Sequence, residues 1–486
     1  MGAVMLQGTG SDVGKSVLVA GLCRLLTNRG MIVRPFKPQN MSNNAAVTPE
    51  GGEIGRAQAL QALACRVPPH VDMNPVLLKP QSDKNAQVIV RGKVYDTGDA
   101  SYFRNQKQQL LEAVLASYQR LSSDADIVIV EGAGSPAEIN LRASDIANMG
   151  FARAANVPVV LIGDIDRGGV IASIVGTKAV IDSEDGAMIR GFLINKFRGD
   201  VSLFDDGYDA IAERTGWEGL GIVPWLPMIH KLPAEDAVSL QQLESGTQAI
   251  VEIAVPMLSR IANFDDFDPL RLEPQVHLHM VPPGKPIPAS ASLIIIPGTK
   301  ATIADLKFLR TQGWDIDIAA HVRRGGHVLG ICGGYQMLGE TISDPDAIEG
   351  RAESVTGLRL LPVTTTLTAA KTLTNSSGKT IADDQKFNGY EIHVGETTRV
   401  NAEPMIQFDN GRFDGAVSTN ERISGCYVHG LFNAASQRQS WLAKLGVESN
   451  GEEQDAVVDQ ALDDLADALG EYVDIDRLLA IADGAS

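Results

Sequence analysis

Gly8-Thr9-Gly10-Ser11-Asp12-Val13-Gly14-Lys15-Ser16 follows directly on a short apolar run, residues 4–6, and leads into an amphipathic stretch, residues 16–27. Strand, glycine-rich loop and helix in that order make a phosphate-binding loop. The glycines let the backbone wrap an anion with its N–H groups turned inward. The helix adds its positive N-terminal end. Lys15 is then expected to reach the β- and γ-phosphates of a nucleotide, and Ser16 to ligate Mg²⁺. The usual pattern puts four residues between its first glycine and the Gly-Lys pair. Here five lie between Gly8 and Gly14, and Thr9 holds the expected glycine position. The strand–loop–helix setting identifies the variant, and all nine residues are candidate ATP-binding positions.

Working outward, further apolar runs at 32–36, 127–130, 157–162 and 192–194 alternate with helical stretches at 106–121 and 171–181. Continuous apolar runs of this kind suit parallel strands covered on both faces. The repeated alternation predicts a doubly wound, mostly parallel α/β sheet. The polar, aperiodic residues 231–248 mark a boundary. A second α/β series follows, with strands expected at 250–255, 276–281, 293–296, 328–331 and 424–429, and a Thr/Ser-rich hairpin at 364–386. The acidic, Leu/Ala-rich residues 452–482 read as a pair of helices. The expected division is therefore a P-loop domain at 1–235, a second α/β domain at 249–446 and a helical tail at 447–486.

Composition narrows the partners. In 486 residues, Lys plus Arg is 42 and Asp plus Glu is 60, a formal charge of −18. Nucleic acid and anionic membranes need basic surface, so neither is expected as a partner. With 44% hydrophobic and 21% charged residues the chain is an ordinary globular one. Four cysteines are too few for a disulfide scaffold at this length. No run approaches the roughly 18 apolar residues of a membrane span, and no basic leader precedes residues 3–6, so the cytoplasm is the expected location.

Two strand ends carry chemistry near the loop. Glu131 closes the run 127–130 and opens Gly132-Ala133-Gly134-Ser135. Ligands of open α/β sheets sit at the carboxyl ends of strands, so Glu131 is the candidate second Mg²⁺ carboxylate. Lys37 ends another strand and is expected to face the nucleotide or an anionic substrate. In the second domain, Gly330-Ile331-Cys332-Gly333-Gly334 is a thiol version of the nucleophile elbow. A helix N-terminus beside a thiol favours thiolate, and the N–H of Gly333 can serve an oxyanion. His429, at the end of a predicted strand, is the candidate general base. Cys426 lies an odd number of positions from His429 and should face away from it. Cys23 and Cys65 fall in helical patterns and read as core. His277 and His279 share a strand face, a candidate metal pair without a third ligand nearby.

At these residues the sequence resembles known families. The long-spaced loop resembles that of dethiobiotin synthetase and its relatives. Cys332 with His429 resembles class I, triad-type glutamine amidotransferases. Both together resemble the amidating enzymes of the cobalamin pathway. Three stretches point within that group to cobyric acid synthases: Lys37 to Asn44 (KPQNMSNN), Glu131 to Leu141 (EGAGSPAEINL) and Gly163 to Gly169 (GDIDRGG). The resemblance implies ATP-dependent amidation of the b, d, e and g carboxylates of adenosylcobyrinic acid a,c-diamide, with glutamine or ammonia as nitrogen source. It places the second oxyanion N–H at Gly298 or Thr299 and the glutamine-holding position at Gln336. Asn40, Asn44, Arg142, Asp145 and Asp166 become candidate substrate residues. Lys15, Lys37, Arg142 and Arg167 are expected to offset the acidic net charge locally. One departure stands out: the glutamate that usually follows such a histidine by two residues is replaced by Leu431. Some other group must orient His429. Two other readings remain at this point: the sibling enzyme that makes the a,c-diamide, and a partition-type ATPase, which would lack glutaminase activity.

Overall fold

A computed structural model describes residues 1–81, 85–233 and 249–484. From residue 234 onward, the boundary expected at 231–248 lies outside the described residues.

The first sheet holds six parallel strands: β1 (Gly2–Gly8), β2 (Val33–Phe36), β3 (Ile127–Glu131), β4 (Val159–Asp164), β5 (Ile189–Phe197) and β6 (Glu218–Pro224). Their order is β6-β5-β4-β1-β3-β2. β1 is buried along its whole length, which is why its sequence shows no polar alternation. β1 lies between β4 and β3, so Gly8, Asp164 and Glu131 emerge at one sheet edge. Two helices of this domain matter for the site: α1 (Lys15–Asn28), after the glycine loop, and α2 (Arg56–Ala64). Between β2 and β3 the chain also builds a small sheet from Gln39–Met41, Val76–Pro80, Ala86–Val90 and Lys93–Gly98. Its strands are short and two are polar, so apolar runs did not announce them.

The second domain has a sheet of β7 (Val251–Pro256), β8 (Val276–Val281), β9 (Leu293–Ile296) and β10 (His327–Ile331). A long hairpin, β11 (Val363–Thr380) and β12 (Lys386–Arg399), covers the expected Thr/Ser-rich segment. The strand expected at 424–429 is two strands in different sheets. β13 (Ile423–Cys426) runs parallel to β10, then β14 (Val428–His429) pairs antiparallel with β12, Tyr390 opposite His429. This corrects the expectation that His429 ends a strand of the parallel sheet. The chain breaks at Tyr427, whose N–H is taken by Asp414 Oδ2 at 2.8 Å. The short helix α3 (Gly333–Leu338) follows Cys332.

The terminal helices α4 (Gln454–Tyr472) and α5 (Ile475–Ala482) pack on the first domain. Leu465 and Leu469 press against α1 so closely that a Cβ on Gly21 would lie 2.5 Å from Leu469 Cδ1 and 2.7 Å from Leu465 Cγ. Fully buried Arg24 pairs with Asp459 and, at 3.4 Å, with Asp463. Along the outermost strand, β6, Asp474 N–H donates to Leu220 O at 2.8 Å, and Arg477 pairs with Glu218.

Candidate functional site

The glycine loop takes the shape its sequence implies. Gly14 caps α1 at φ 93°, and a Cβ there would sit 2.3 Å from Asn195 Nδ2. Left-handed backbone and lack of space both demand glycine. Lys15 Nζ folds back over the loop to Gly10 O at 3.0 Å and Gly134 O at 3.3 Å. It thereby links the loop to the turn after Glu131. Glu131 is fully buried and gathers three donors: Ser16 Oγ at 2.7 Å, Lys37 Nζ at 2.7 Å and Gln61 Nε2 at 2.5 Å. Gln61 also reaches Ser16 O at 3.3 Å. A serine hydroxyl in contact with a carboxylate beside a phosphate loop is an oxygen donor set that fits Mg²⁺, which keeps several waters and takes one or two carboxylates. Lys37 was expected to face the nucleotide or substrate; its buried ammonium instead rests on Glu131.

Other predicted positions are spread around this edge. Arg142 is committed to Asp185, at 2.5 and 2.8 Å. Asp145 accepts the N–H groups of Ala147, Asn148 and Gly150 at 2.8, 2.9 and 2.7 Å and so shapes the start of the helix that follows. Both were offered as substrate residues; their polar atoms are engaged in local structure. Asp166 pairs with Arg198 at 2.6 Å, and Arg167 with Asp12 at 3.2 Å. Asn40 donates to Gln58 at 3.0 Å, whereas buried Asn44 has no hydrogen-bond partner on either amide atom. Sequence reading missed Asn195 and Lys196. Asn195 Nδ2 holds Val13 O at 2.8 Å, and Lys196 bridges Asp12 O and Asp164, the latter at 2.9 Å. Their signal was the one used for Glu131: polar residues closing a buried strand.

In the second domain Cys332 has φ 52° and ψ −112°, between β10 and α3. Such backbone is strained in a residue with a Cβ. The neighbours make room for it: a Cβ on Gly334 would lie 2.0 Å from Ile296 O, and one on Gly330 2.7 Å from Gly334 O. Cys332 and His429 line one cavity with Gly298, Thr299, Gly333 and Gln336. A Cβ on Gly298 would come within 2.9 Å of His429 Cε1 and 3.7 Å of Cys332 Cβ, so the Gly298 backbone borders both reacting side chains. The Thr299 nitrogen lies 3.2 Å from where a Gly333 Cβ would be. The two candidate oxyanion positions are therefore neighbours. Gln336 is held by Val394 O at 2.9 Å, Tyr427 Oη at 3.0 Å and Thr302 Oγ1 at 2.9 Å.

What orients His429 is Asp266. Its Oδ2 is 2.7 Å from His429 Nδ1, and its Oδ1 accepts Gly430 N–H at 2.7 Å. The Tyr390 ring stacks on the imidazole at 5.2 Å and 18°. Burial pulls the imidazole pKa down, but the Asp266 charge and hydrogen bond outweigh it and, with the Cys332 thiol, raise it to about 10. Nε2, buried and without a hydrogen bond meeting ordinary geometry, is the nitrogen left for the thiol. Asp266 escaped the sequence reading because it precedes the cysteine by 66 positions, within Phe264-Asp265-Asp266-Phe267-Asp268. The available signal was three acidic residues interleaved with phenylalanines, which marks carboxylates destined for burial.

The cavity wall also includes Lys79 of the first domain, with Lys300 and Lys371. Buried Glu53, also of the first domain, accepts from Lys79 at 2.5 Å and from Lys371. Burial lowers the Lys300 pKa to about 8, with Lys371 and Lys79 adding to the effect. With Glu53 on Lys79 and Lys371, and Glu349 also in the wall near Lys300, this side of the cavity is a mixed-charge cluster. Cys23, Cys65 and Cys426 are buried thiols, neither disulfide-bonded nor in the cavity. His277 and His279 stack at 5.6 Å and His279 bonds Glu252 at 2.8 Å; among the described residues no three ligating side chains cluster into a metal site.

Two known domain families match this chain. Residues 4–240 match the CobQ/CobB/MinD/ParA nucleotide binding domain, and residues 252–437 the CobB/CobQ-like glutamine amidotransferase domain. A protein of Rhizorhabdus wittichii named cobyric acid synthase is 62% identical over 483 residues, 99% of each chain. One of the same name from Sphingopyxis alaskensis is 63% identical, again over 99% of each chain. A third, from a Caulobacter species, is 59% identical over 99% of this chain and all of its own. With full-length likeness at this level and both half-sites in place, the chain belongs to the cobyric acid synthase family.

Proposed function

We propose that the chain makes amides from the b, d, e and g carboxylates of adenosylcobyrinic acid a,c-diamide, using ATP and glutamine. The observation that carries the reading is one chain holding both a phosphate loop backed by Ser16 and Glu131 and a cysteine elbow facing a histidine–aspartate pair.

A carboxylate resists ammonia because its leaving group would be oxide. In the first domain a substrate carboxylate oxygen attacks the γ-phosphorus of ATP, the bond to the β-phosphate oxygen breaks, and ADP leaves an acyl phosphate. Lys15 and the loop N–H groups position and neutralise the phosphates. Ser16 and Glu131 would hold Mg²⁺, which supplies charge neutralisation for the transferring phosphoryl group. Lys37 and Gln61 keep the Glu131 carboxylate oriented. In the second domain, with the Cys332 proton already resting on His429, the sulfur attacks the glutamine side-chain carbonyl. The oxyanion is received by N–H groups at Gly333 and at Gly298 or Thr299. His429 returns the proton to the departing nitrogen, and ammonia leaves a thioester on Cys332. Water, activated by His429, then releases glutamate. Ammonia attacks the acyl phosphate and expels phosphate. We place the protein in the cytoplasm, where thiols stay reduced; no described helix is long and apolar enough to cross a membrane.

The test is Cys332→Ser assayed with two nitrogen sources. Glutamine-dependent amidation should vanish while ammonium-dependent amidation persists. Loss of both would show that the two half-reactions are not separable. Identifying the amidated product separates this substrate from the a,c-unsubstituted acid.

A further inference from the structure

Helix α2 belongs to the nucleotide domain, yet its first residue reaches the glutaminase half. Arg56 Nη2 lies 2.9 Å from Asp265 Oδ2. The Arg56 guanidinium carbon is 6.0 Å from the centre of the Tyr390 ring, which itself lies on the His429 imidazole. One cation thus touches both neighbours of the Asp266–His429 pair.

Asp265, Asp266 and Asp268 are all buried within one turn of chain. Asp266 is taken up by His429 and Gly430. Asp268 faces Arg271 at 3.2 Å. Asp265 is held by Arg56 through Oδ2, and its Oδ1 has no hydrogen-bond partner. Removing one partner of a buried ion pair leaves an uncompensated charge at a substantial cost. Asp265 would relieve that cost by taking a proton, by turning away, or by competing with Asp266 for the imidazolium. Each route disturbs the group that aims His429. At its other end α2 places Gln61 on Glu131 and on Ser16 O, at 2.5 and 3.3 Å. The two contacts arise from positions five apart on the helix, about 7.5 Å along the axis. The same short helix that braces the carboxylate at the phosphate loop therefore braces the glutaminase.

We propose that Arg56 is a positioning residue for glutamine hydrolysis: from the neighbouring domain it pins Asp265 and Tyr390, and so keeps Asp266 and His429 aligned on Cys332. This rests on the assignment of Cys332 and His429 to glutamine hydrolysis.

The test uses the full-length protein and two assays, glutamate formation from glutamine and amidation with added ammonium. Arg56→Met should lower kcat for glutamine hydrolysis by at least about tenfold with KM nearly unchanged, because it removes alignment and not ground-state binding. Ammonium-dependent amidation should stay within about twofold of wild type, since a folded nucleotide domain suffices for it. Arg56→Lys, which keeps the charge but not the planar fork, should recover part of the loss. Asp265→Asn added to Arg56→Met should also recover part of it, because the stranded charge is then gone. Wild-type kcat in Arg56→Met, a parallel fall with both nitrogen sources, or no relief from Asp265→Asn would each overturn the proposal. A wild-type chain that fails to hydrolyse glutamine would sink the functional reading itself; an active wild type indifferent to Arg56→Met would sink only this inference.

Discussion

Asp266→Asn keeps the shape of the side chain and removes its charge. In the folded protein the imidazole of His429 is raised from 6.5 to about 10, against burial, which alone would lower it. A difference of that size corresponds to about 5 kcal/mol in favour of imidazolium. The protonated ring faces the sulfur as it attacks and then donates to the departing nitrogen, so part of that energy carries over into the transition state. If half of it does, kcat for glutamine hydrolysis falls by roughly 10². The amide must also present its oxygen to Nδ1 while Gly430 N–H asks for the same oxygen, so the ring loses its tautomer as well as its counter-charge. The assay is steady-state glutamate release, with ammonium-dependent amidation as the control for folding. The stability of the pair carries a matching pH signature. The native pKa is raised above the unfolded value, so the contribution is fully present below about pH 6.5 and is lost as pH rises through about 10. Wild-type Tm should therefore fall from pH 7 to 10 more steeply than that of Asp266→Asn. A kcat within threefold of wild type, or identical Tm profiles, would refute the reasoning.

Two further outcomes follow from the nucleotide domain. Lys15→Ala should abolish amidation with either nitrogen source, a loss of at least about 10²-fold, because positioning and charge neutralisation supply most of phosphoryl-transfer catalysis; binding of a fluorescent ATP analogue should weaken in parallel. Leu465→Ala should destabilise the nucleotide domain by about 2–5 kcal/mol, since it opens a cavity against Gly21 and α1. Denaturant unfolding reads that change, and Tm of the holo-protein should recover in part with saturating ATP.

Much of the architecture was written locally. The run 4–6, the loop Gly8–Ser16 and the apolar stretches before Glu131 and Cys332 state their strands and bends within a few residues, because continuous apolar patterning and glycine chemistry are short-range signals. What distant segments supply was not legible. Asp266 meets His429 across 163 positions, and Gln61 meets Glu131 across 70; nothing near either histidine or glutamate names its partner. Lys37 and Arg142 carry the same lesson: the sequence names each cation, and only the fold shows that Glu131 and Asp185 hold them. The break at Tyr427 was hidden for a similar reason: residues 424–429 read as one strand, and Asp414, 13 positions earlier, takes the Tyr427 N–H.

Ile250 and Glu448 both bond Gln275, so the described ends of the glutaminase unit lie side by side before α4 and α5 return to the first domain. That unit is spliced into its host rather than hung from one end of it, so two covalent anchors share any strain that would pull it away. Leu465 and Leu469, seated on α1, tie the chain that leaves the glutaminase unit back to the nucleotide domain. Both ends of the glutaminase unit are thus answerable to the domain that spends its ammonia.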